Sequence, residues 1–305
     1  MKPLIQVSQQ VHDAVAGGRP VVALESTIFT HGLTPPRNLE VAFEVERNLR
    51  DAGVVPATVG VVGGIPTVGL SDGQIAALGT EPGVEKLGVR DLPVAAAKGI
   101  SGGTTVASTA VLAHHAGVRV FATGGLGGVH RGAASTFDES ADLTTLASVP
   151  VLVVSAGVKS ILDIPASLER LETLGVPVVG YRTRRFPGFY VRDSGCTIDY
   201  SVESPAEAAA IVDARDRLGS KCAVLLVNPV TERAQLDPEL HDRVLHEAEQ
   251  AAAAAGVTGK ATTPFLLDHL HRASGGRSLD VNVAVYRANV ALGGAVAVEL
   301  AARPT

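Results

Sequence analysis

Tryptophan is absent, and aromatic side chains make up only 4% of the 305 residues. Base-stacking platforms and aromatic carbohydrate clefts have little to be built from, so any sugar held here is held mainly by polar groups. Cysteine is scarce too. Cys196 and Cys222 are too few for a disulfide framework or a four-thiolate zinc site, which fits a reducing cytoplasm. Positive charge is also in short supply: 26 Lys plus Arg against 31 Asp plus Glu give a net charge of -5. That balance offers no cationic field to a nucleic-acid backbone. The first residues, MKPLIQVSQQVHDAVAGG, lack the apolar run and cleavage site of a secretory leader, and no stretch reaches the ~18 uninterrupted apolar residues of a membrane span. A soluble cytoplasmic protein, binding neither nucleic acid nor membrane, is expected.

What the chain does have is apolar material, 46% of its residues with a mean hydropathy of +0.25, which excludes intrinsic disorder and suffices for a sizeable core. Short Val-rich runs at 21–24, 57–62, 118–122, 151–154, 176–179 and 223–227 read as buried strands. Amphipathic stretches at 38–52, 105–116, 167–174, 205–218 and 238–255 read as helices between them. The alternation predicts an α/β fold of three layers, α/β/α, around a mostly parallel central sheet. The alanine run 251–255 continues the preceding helical period and stops at Gly256, so it reads as a helix end. With no linker, charge block or fixed-period repeat, one domain over 1–305 is expected.

Two glycine-rich segments stand out. TGGLGGVHRG at 123–132 follows a strand, so its main-chain N–H groups could converge on an anion beside His130 and Arg131. SGGTT at 101–105 reads as the opening of a helix, with free N–H groups and hydroxyls. A lone Gly-Gly pair makes a tight turn; two such segments together point to a phosphate. The dinucleotide fingerprint fails because His130 stands where its third glycine belongs, and no P-loop is present, since Gly259-Lys260 is followed by Ala261.

Among the six lysines, Lys159 alone follows a long apolar run, 151–158. Desolvation at the mouth of such a strand favours a free amine able to attack a carbonyl, although a lysine there can also lay its stem on apolar surface and reach solvent. Glu25 likewise ends the run 21–24 and precedes Ser26 and Thr27; a carboxylate at that place can act as acid and base in turn, or serve in a salt bridge or cap. DESAD at 138–142 gathers three carboxylates that suit Mg²⁺ or Mn²⁺ held largely by water, or simply the solvated start of a helix. The nine histidines form no H-E-x-x-H pair, and G-x-S-x-G is absent, so zinc-hydrolase and serine-hydrolase chemistry have no motif.

Read in order, VVALESTIFTHGL at 21–33, DLPVAAAKG at 91–99, GGTTVAST at 102–109, VFATGGLGGVHRG at 120–132, DESADL at 138–143, AGVKSILDIPASLERLETLGVPVVGY at 156–181, FPGFYVRDSG at 186–195 and GKATTPFLLDHL at 259–270 resemble the pseudouridine-5'-phosphate glycosidases over nearly the whole chain. That resemblance implies reversible cleavage of the C–C bond between ribose 5-phosphate C1' and a uracil carbon, a homotrimer, and a divalent ion, usually Mn²⁺. It implies that Lys159 forms an imine with C1', that Glu25 moves protons to and from the ring oxygen and the base, and that Asp138 holds the metal, with Ser140, Ala141 and Asp142 near the substrate. Lys86, Thr105, Val106, Thr123 and His130 would line the sugar-phosphate side, and Asn282 would face the nucleobase or ribose. The chain differs from the family's usual pattern at 62–67, 89–90 and 182–185, differences that bear on the non-sugar partner. Three readings follow: a catabolic glycosidase, a C-ribosylating synthase acting on an aromatic natural-product acceptor, as in alnumycin biosynthesis, and a non-catalytic sugar-phosphate binder.

Overall fold

The computed structural model describes residues 4–257 and 262–303; Lys2, and Gly259 to Ala261 at the start of the last family-like stretch, lie outside the described residues. Eleven strands run β1 Gln6–Val7, β2 Val21–Leu24, β3 Val55–Val62, β4 Ile65–Val68, β5 Glu85–Leu87, β6 Gly102–Thr104, β7 Val120–Ala122, β8 Leu152–Ser155, β9 Val178–Tyr181, β10 Tyr200–Val202 and β11 Val224–Val227. The helices are α1 Gln9–Ala16, α2 Arg37–Asp51, α3 Asp72–Thr80, α4 Leu92–Lys98, α5 Val106–His115, α6 Ala133–Thr136, α7 Ala141–Leu146, α8 Ile164–Thr173, α9 Pro205–Arg217, α10 Pro238–Ala254, α11 Thr262–Ala273 and α12 Arg277–Ala301. All six strands and all five helices expected from periodicity are present. Their ends move by at most three residues; α8 starts early because Asp163 caps it and a proline sits in its first turn.

The sheet order is β1-β4-β3-β2-β7-β8-β11-β9-β10, with β6 antiparallel to the far half of β3 and β5 parallel to β6. From β3 through β10 along that order neighbours are parallel. Alternate residues feed two cores: Val21, Ala23, Phe121, Val153 and Leu225 face one side, while Val22, Leu24, Ala122, Val154 and Leu226 face the other. Burial on both faces is what makes these strands continuous apolar runs. Helices including α1, α5, α7, α8 and α10 cover the first face, and α2, α3, α9 and α12 the second. The architecture is the expected three-layer α/β/α.

Helix α12 was not marked by amphipathic period. It is long and apolar enough to cross a membrane by composition, yet 61% of its most apolar window is buried. It packs on β2, β7 and β8 and on α2 and α9, so polar residues find no continuous face and the 3.6-residue signal is weak. The segment 62–67 is a hairpin between β3 and β4, with Gly63 at φ 56° and Gly64 at φ 81°, the positive values a two-residue hairpin turn requires.

One expectation fails here. Gly102–Thr104 does not open a helix but forms β6, and Thr105 is the N-cap of α5. The N–H of Thr104 donates to Ser26 Oγ at 2.8 Å and its hydroxyl to Val59 O at 2.8 Å. Those groups are engaged within the protein and are not free for an anion. The glycines serve close packing: a methyl at Gly103 would meet Thr30 Oγ1 at 2.2 Å.

The chain leaves β2 towards β3 on one side, and β7 leads to β8 on the other. Loops diverge at the carboxyl ends of β2 and β7, the place where a ligand cleft is usual in an open α/β sheet.

Candidate active site

Glu25 is the first residue past β2 and is 7% exposed. Its carboxylate accepts the hydroxyls of Thr27 and Thr123. Thr123 is the first residue past β7, so two neighbouring strand ends share one acid. A π-helical turn, Ile28–Gly32, begins directly after this point, a geometry common at functional sites. Asn289 of α12 is fully buried and donates to Thr123 O at 2.8 Å and Gly124 O at 3.2 Å, while its Oδ1 accepts from Asn228 at 3.0 Å, just past β11. The carbonyls behind the Thr123 hydroxyl are thereby fixed.

The glycine-rich loop and the lysine-bearing loop are laced together. Leu126 N–H donates to Gly157 O at 2.9 Å, and Lys159 N–H returns to Leu126 O at 3.0 Å. Gly157 has φ +79°, and a methyl there would lie 2.7 Å from Pro187 O, so only glycine fits. Within the 123–132 loop, Gly127 N–H donates to Asp142 Oδ2, Val129 N–H to Ser167 Oγ and His130 N–H to Asp138 O. These groups hold the loop, so an anion cradle from them is not available. Asn282 borders the same loop: a methyl at Gly124 would approach its Oδ1 to 3.2 Å.

Lys86, central in β5, lies within electrostatic reach of Lys159, Glu25 and Asp142. Its side chain is exposed, while the protein around it lowers its pKa. Desolvation is the largest cause and Lys159 the next, opposed by Glu25 and Asp142. Burial also lowers His31, helped by Lys86. Tyr286 of α12 is pushed well above the ordinary phenol range, first by burial and then by Glu25 and Glu46. Four of the expected residues, Glu25, Lys86, Asp142 and Lys159, therefore share one electrostatic neighbourhood, and Thr123 and Asn282 border it.

The acidic segment divides by role. Asp142 is buried and accepts Ala107 N–H at 2.9 Å and Gly127 N–H at 2.8 Å, clipping the first turn of α5 to the glycine loop. Glu139 pairs with Arg170 at 2.9 Å. Ser140 caps α7 and Ala141, at its first position, is exposed. Thr105 caps α5, and Val106 is buried in its first turn. Only Asp138 keeps an open carboxylate, 39% exposed, with His130 Nδ1 at 3.9 Å. Among the described residues no three His, Cys, Asp or Glu side chains converge. A single open carboxylate suits a hard cation that keeps most of its waters, and it does not suit zinc.

Sequence reasoning missed Asn289 and Asn228. A signal existed for Asn289, which lies two helical turns after Asn282 in an otherwise apolar helix. Asn228 had none beyond its place at a strand end.

Comparison with known proteins agrees with the geometry. The model of the family described as indigoidine synthase A like protein matches residues 10–299. The chain is 64% identical to a pseudouridine-5'-phosphate glycosidase of Saccharopolyspora erythraea, over 95% of this chain and 96% of that one. It is 58% identical to a protein of the same name from Salinispora tropica, over 96% and 91%. Its fold matches the prealnumycin C-glycosynthase AlnA, solved in complex with ribulose 5-phosphate, with a TM-score of 0.92 and 37% identity over 99% of this chain and 98% of that one. An indigoidine synthase A-like protein of Thermotoga maritima matches with a TM-score of 0.88 and 34% identity, over 99% and 98% of the two chains.

Proposed function

The chain belongs to the indigoidine synthase A like protein family, and we propose that it is a pseudouridine-5'-phosphate glycosidase, converting pseudouridine 5'-phosphate and water to uracil and ribose 5-phosphate. The observation that carries this reading is the 64% identity to a protein of that name over 95% of the chain. The cluster of Glu25, Lys86 and Lys159 at the sheet's switch point supports it.

A C-glycoside offers no oxygen or nitrogen leaving group to protonate, so hydrolysis by a carboxylate pair does not apply. An amine supplies the missing electron sink. Glu25 gives its proton to the ring oxygen as the C1'–O4' bond breaks, and Lys159 Nζ bonds to C1'. Glu25 takes the proton released from that nitrogen and delivers it to the uracil carbon. The nitrogen lone pair then forms C1'=N as the C–C bond breaks. Water adds to the imine and returns the aldehyde of ribose 5-phosphate and the free amine. The hydroxyls of Thr27 and Thr123 keep Glu25 aimed into the cleft, and Lys86 adds positive charge beside it. Lys86, Thr105, Val106 and His130 are taken to line the sugar-phosphate side and Asn282 the base. Asp138 would hold Mn²⁺ or Mg²⁺ with water, and the ion would supply charge to bind and orient the sugar phosphate. A homotrimer, implied by the family resemblance, completes the reading.

A second reading keeps the same bond chemistry in reverse on an aromatic acceptor. It is favoured by the likeness to the C-glycosynthase AlnA, whose 37% identity is well below the 64% to the glycosidase. Incubation with pseudouridine 5'-phosphate and Mn²⁺ tests the choice. Equimolar uracil and ribose 5-phosphate are expected, with the metal response lost in Asp138→Asn. No uracil release, and no nucleotide from uracil plus ribose 5-phosphate, would overturn the glycosidase reading in favour of the synthase.

A further inference from the structure

Ser160 follows Lys159 directly and is 2% exposed. Its Oγ lies 2.9 Å from Nε2 of His241, on α10, which is 4% exposed. The other ring nitrogen, Nδ1, is 3.0 Å from Asp242 Oδ1. An ionised carboxylate only accepts, so Nδ1 carries a proton; in the neutral ring Nε2 is then the acceptor and the Ser160 hydroxyl donates to it.

Ser, His and Asp in that order look like a hydrolase triad, but the burial of Ser160 leaves its oxygen no access to an acyl group. What the arrangement can do is tether. The main chain of Lys159 is held on one side by its N–H to Leu126 O at 3.0 Å, and its carbonyl accepts Leu162 N–H at 3.0 Å. The next residue is held to α10 by a buried hydrogen bond, which is costly to leave unmade. The same helix reaches the glycine loop by a second route. The Tyr190 ring is 6.3 Å from that of His241 and edge-on to Phe189 at 4.6 Å, and a methyl at Gly125 would meet the Phe189 ring at 2.5 Å.

We propose that His241 is a positioning residue for Lys159, acting through Ser160 to fix the start of the amine's side chain relative to Glu25. The inference rests on the role given to Lys159 above. It is tested on the full-length protein by the rate of borohydride-trapped adduct formation at saturating ribose 5-phosphate in His241→Leu, Ser160→Ala and His241→Gln, alongside thermal unfolding. His241→Leu and Ser160→Ala are expected to slow trapping roughly tenfold with the half-saturating sugar phosphate unchanged. His241→Gln, which keeps an acceptor, is expected to recover most of the rate. The double variant should be no slower than either single one. Wild-type trapping rates in His241→Leu and Ser160→Ala, with only the melting temperature lowered, would overturn the proposal and leave plain packing. Should His241→Leu fail to fold, Ser160→Ala decides, since it removes a single oxygen. Failure of the Lys159 reading itself would show in the wild-type protein, as no adduct on that residue.

Discussion

Two buried glutamates on the same side of the molecule have different fates. Glu25, 7% exposed, is held by two threonine hydroxyls and stands at the cleft beside Lys86. Glu46, 1% exposed on α2, accepts the Thr58 hydroxyl and pairs with Arg50 at 2.7 Å. Tyr286 senses both. The difference is the partner. Arg50 pairs with one oxygen of Glu46 and Thr58 with the other, so the carboxylate ties α2 to β3. Threonine hydroxyls orient Glu25 without a salt bridge, as the acid–base role proposed for it requires. Burial by itself does not mark a candidate acid; its hydrogen-bond partners do.

Exchanging the two groups' properties tests that contrast. The largest effect is expected for Glu25→Gln, which keeps the shape and removes the titratable group: kcat for uracil release should fall by roughly 10² to 10⁴, with little change in unfolding temperature. A variant that turns over normally would place the acid elsewhere. Glu46→Ala should behave the opposite way, losing about 2 kcal/mol of stability because the buried Thr58 hydroxyl is left without its acceptor, while borohydride trapping at Lys159 stays at the wild-type rate. Loss of trapping in a folded Glu46→Ala protein would erase the distinction. The smallest effect is in pH dependence. Burial raises the Glu46 pKa above its ordinary 4.5, against the Thr58 hydroxyl and Arg50. A carboxyl raised in the folded state contributes fully below its unfolded pKa, and that contribution is lost as pH climbs through the folded value. The stability of wild type relative to Glu46→Gln should therefore decline as pH rises above the ordinary carboxyl value of 4.5; a rising difference would reverse the sign.

The central strands and the five amphipathic helices were legible because burial on two faces writes Val-rich runs and single-sided cover writes a period. The two- and three-residue strands β1, β5 and β6 lie outside apolar runs and carry too few side chains to show a pattern, and β6 is built from glycines whose signal is turn-like. Helix α12 escaped because it is packed on more than one side. At the site, Glu25 and Lys159 were marked by their place after apolar runs, and the fold brings both within electrostatic reach of Lys86. At 101–105 the expected helix opening is not found and strand β6 stands there instead, because Thr104 is claimed by Ser26 and Val59, which are remote in sequence. Nor could the roles within DESAD be sorted, since Asp142 is claimed by Ala107 and Gly127 and Glu139 by Arg170.

Because Lys86 and Lys159 sit in one electrostatic neighbourhood, the direct test is which of them captures the sugar. Borohydride reduction with ribose 5-phosphate, followed by peptide mass mapping, should place one sugar phosphate on the peptide carrying Lys159 and none on that carrying Lys86, and Lys159→Ala should abolish the adduct. A label on Lys86, or one that survives Lys159→Ala, would contradict the account.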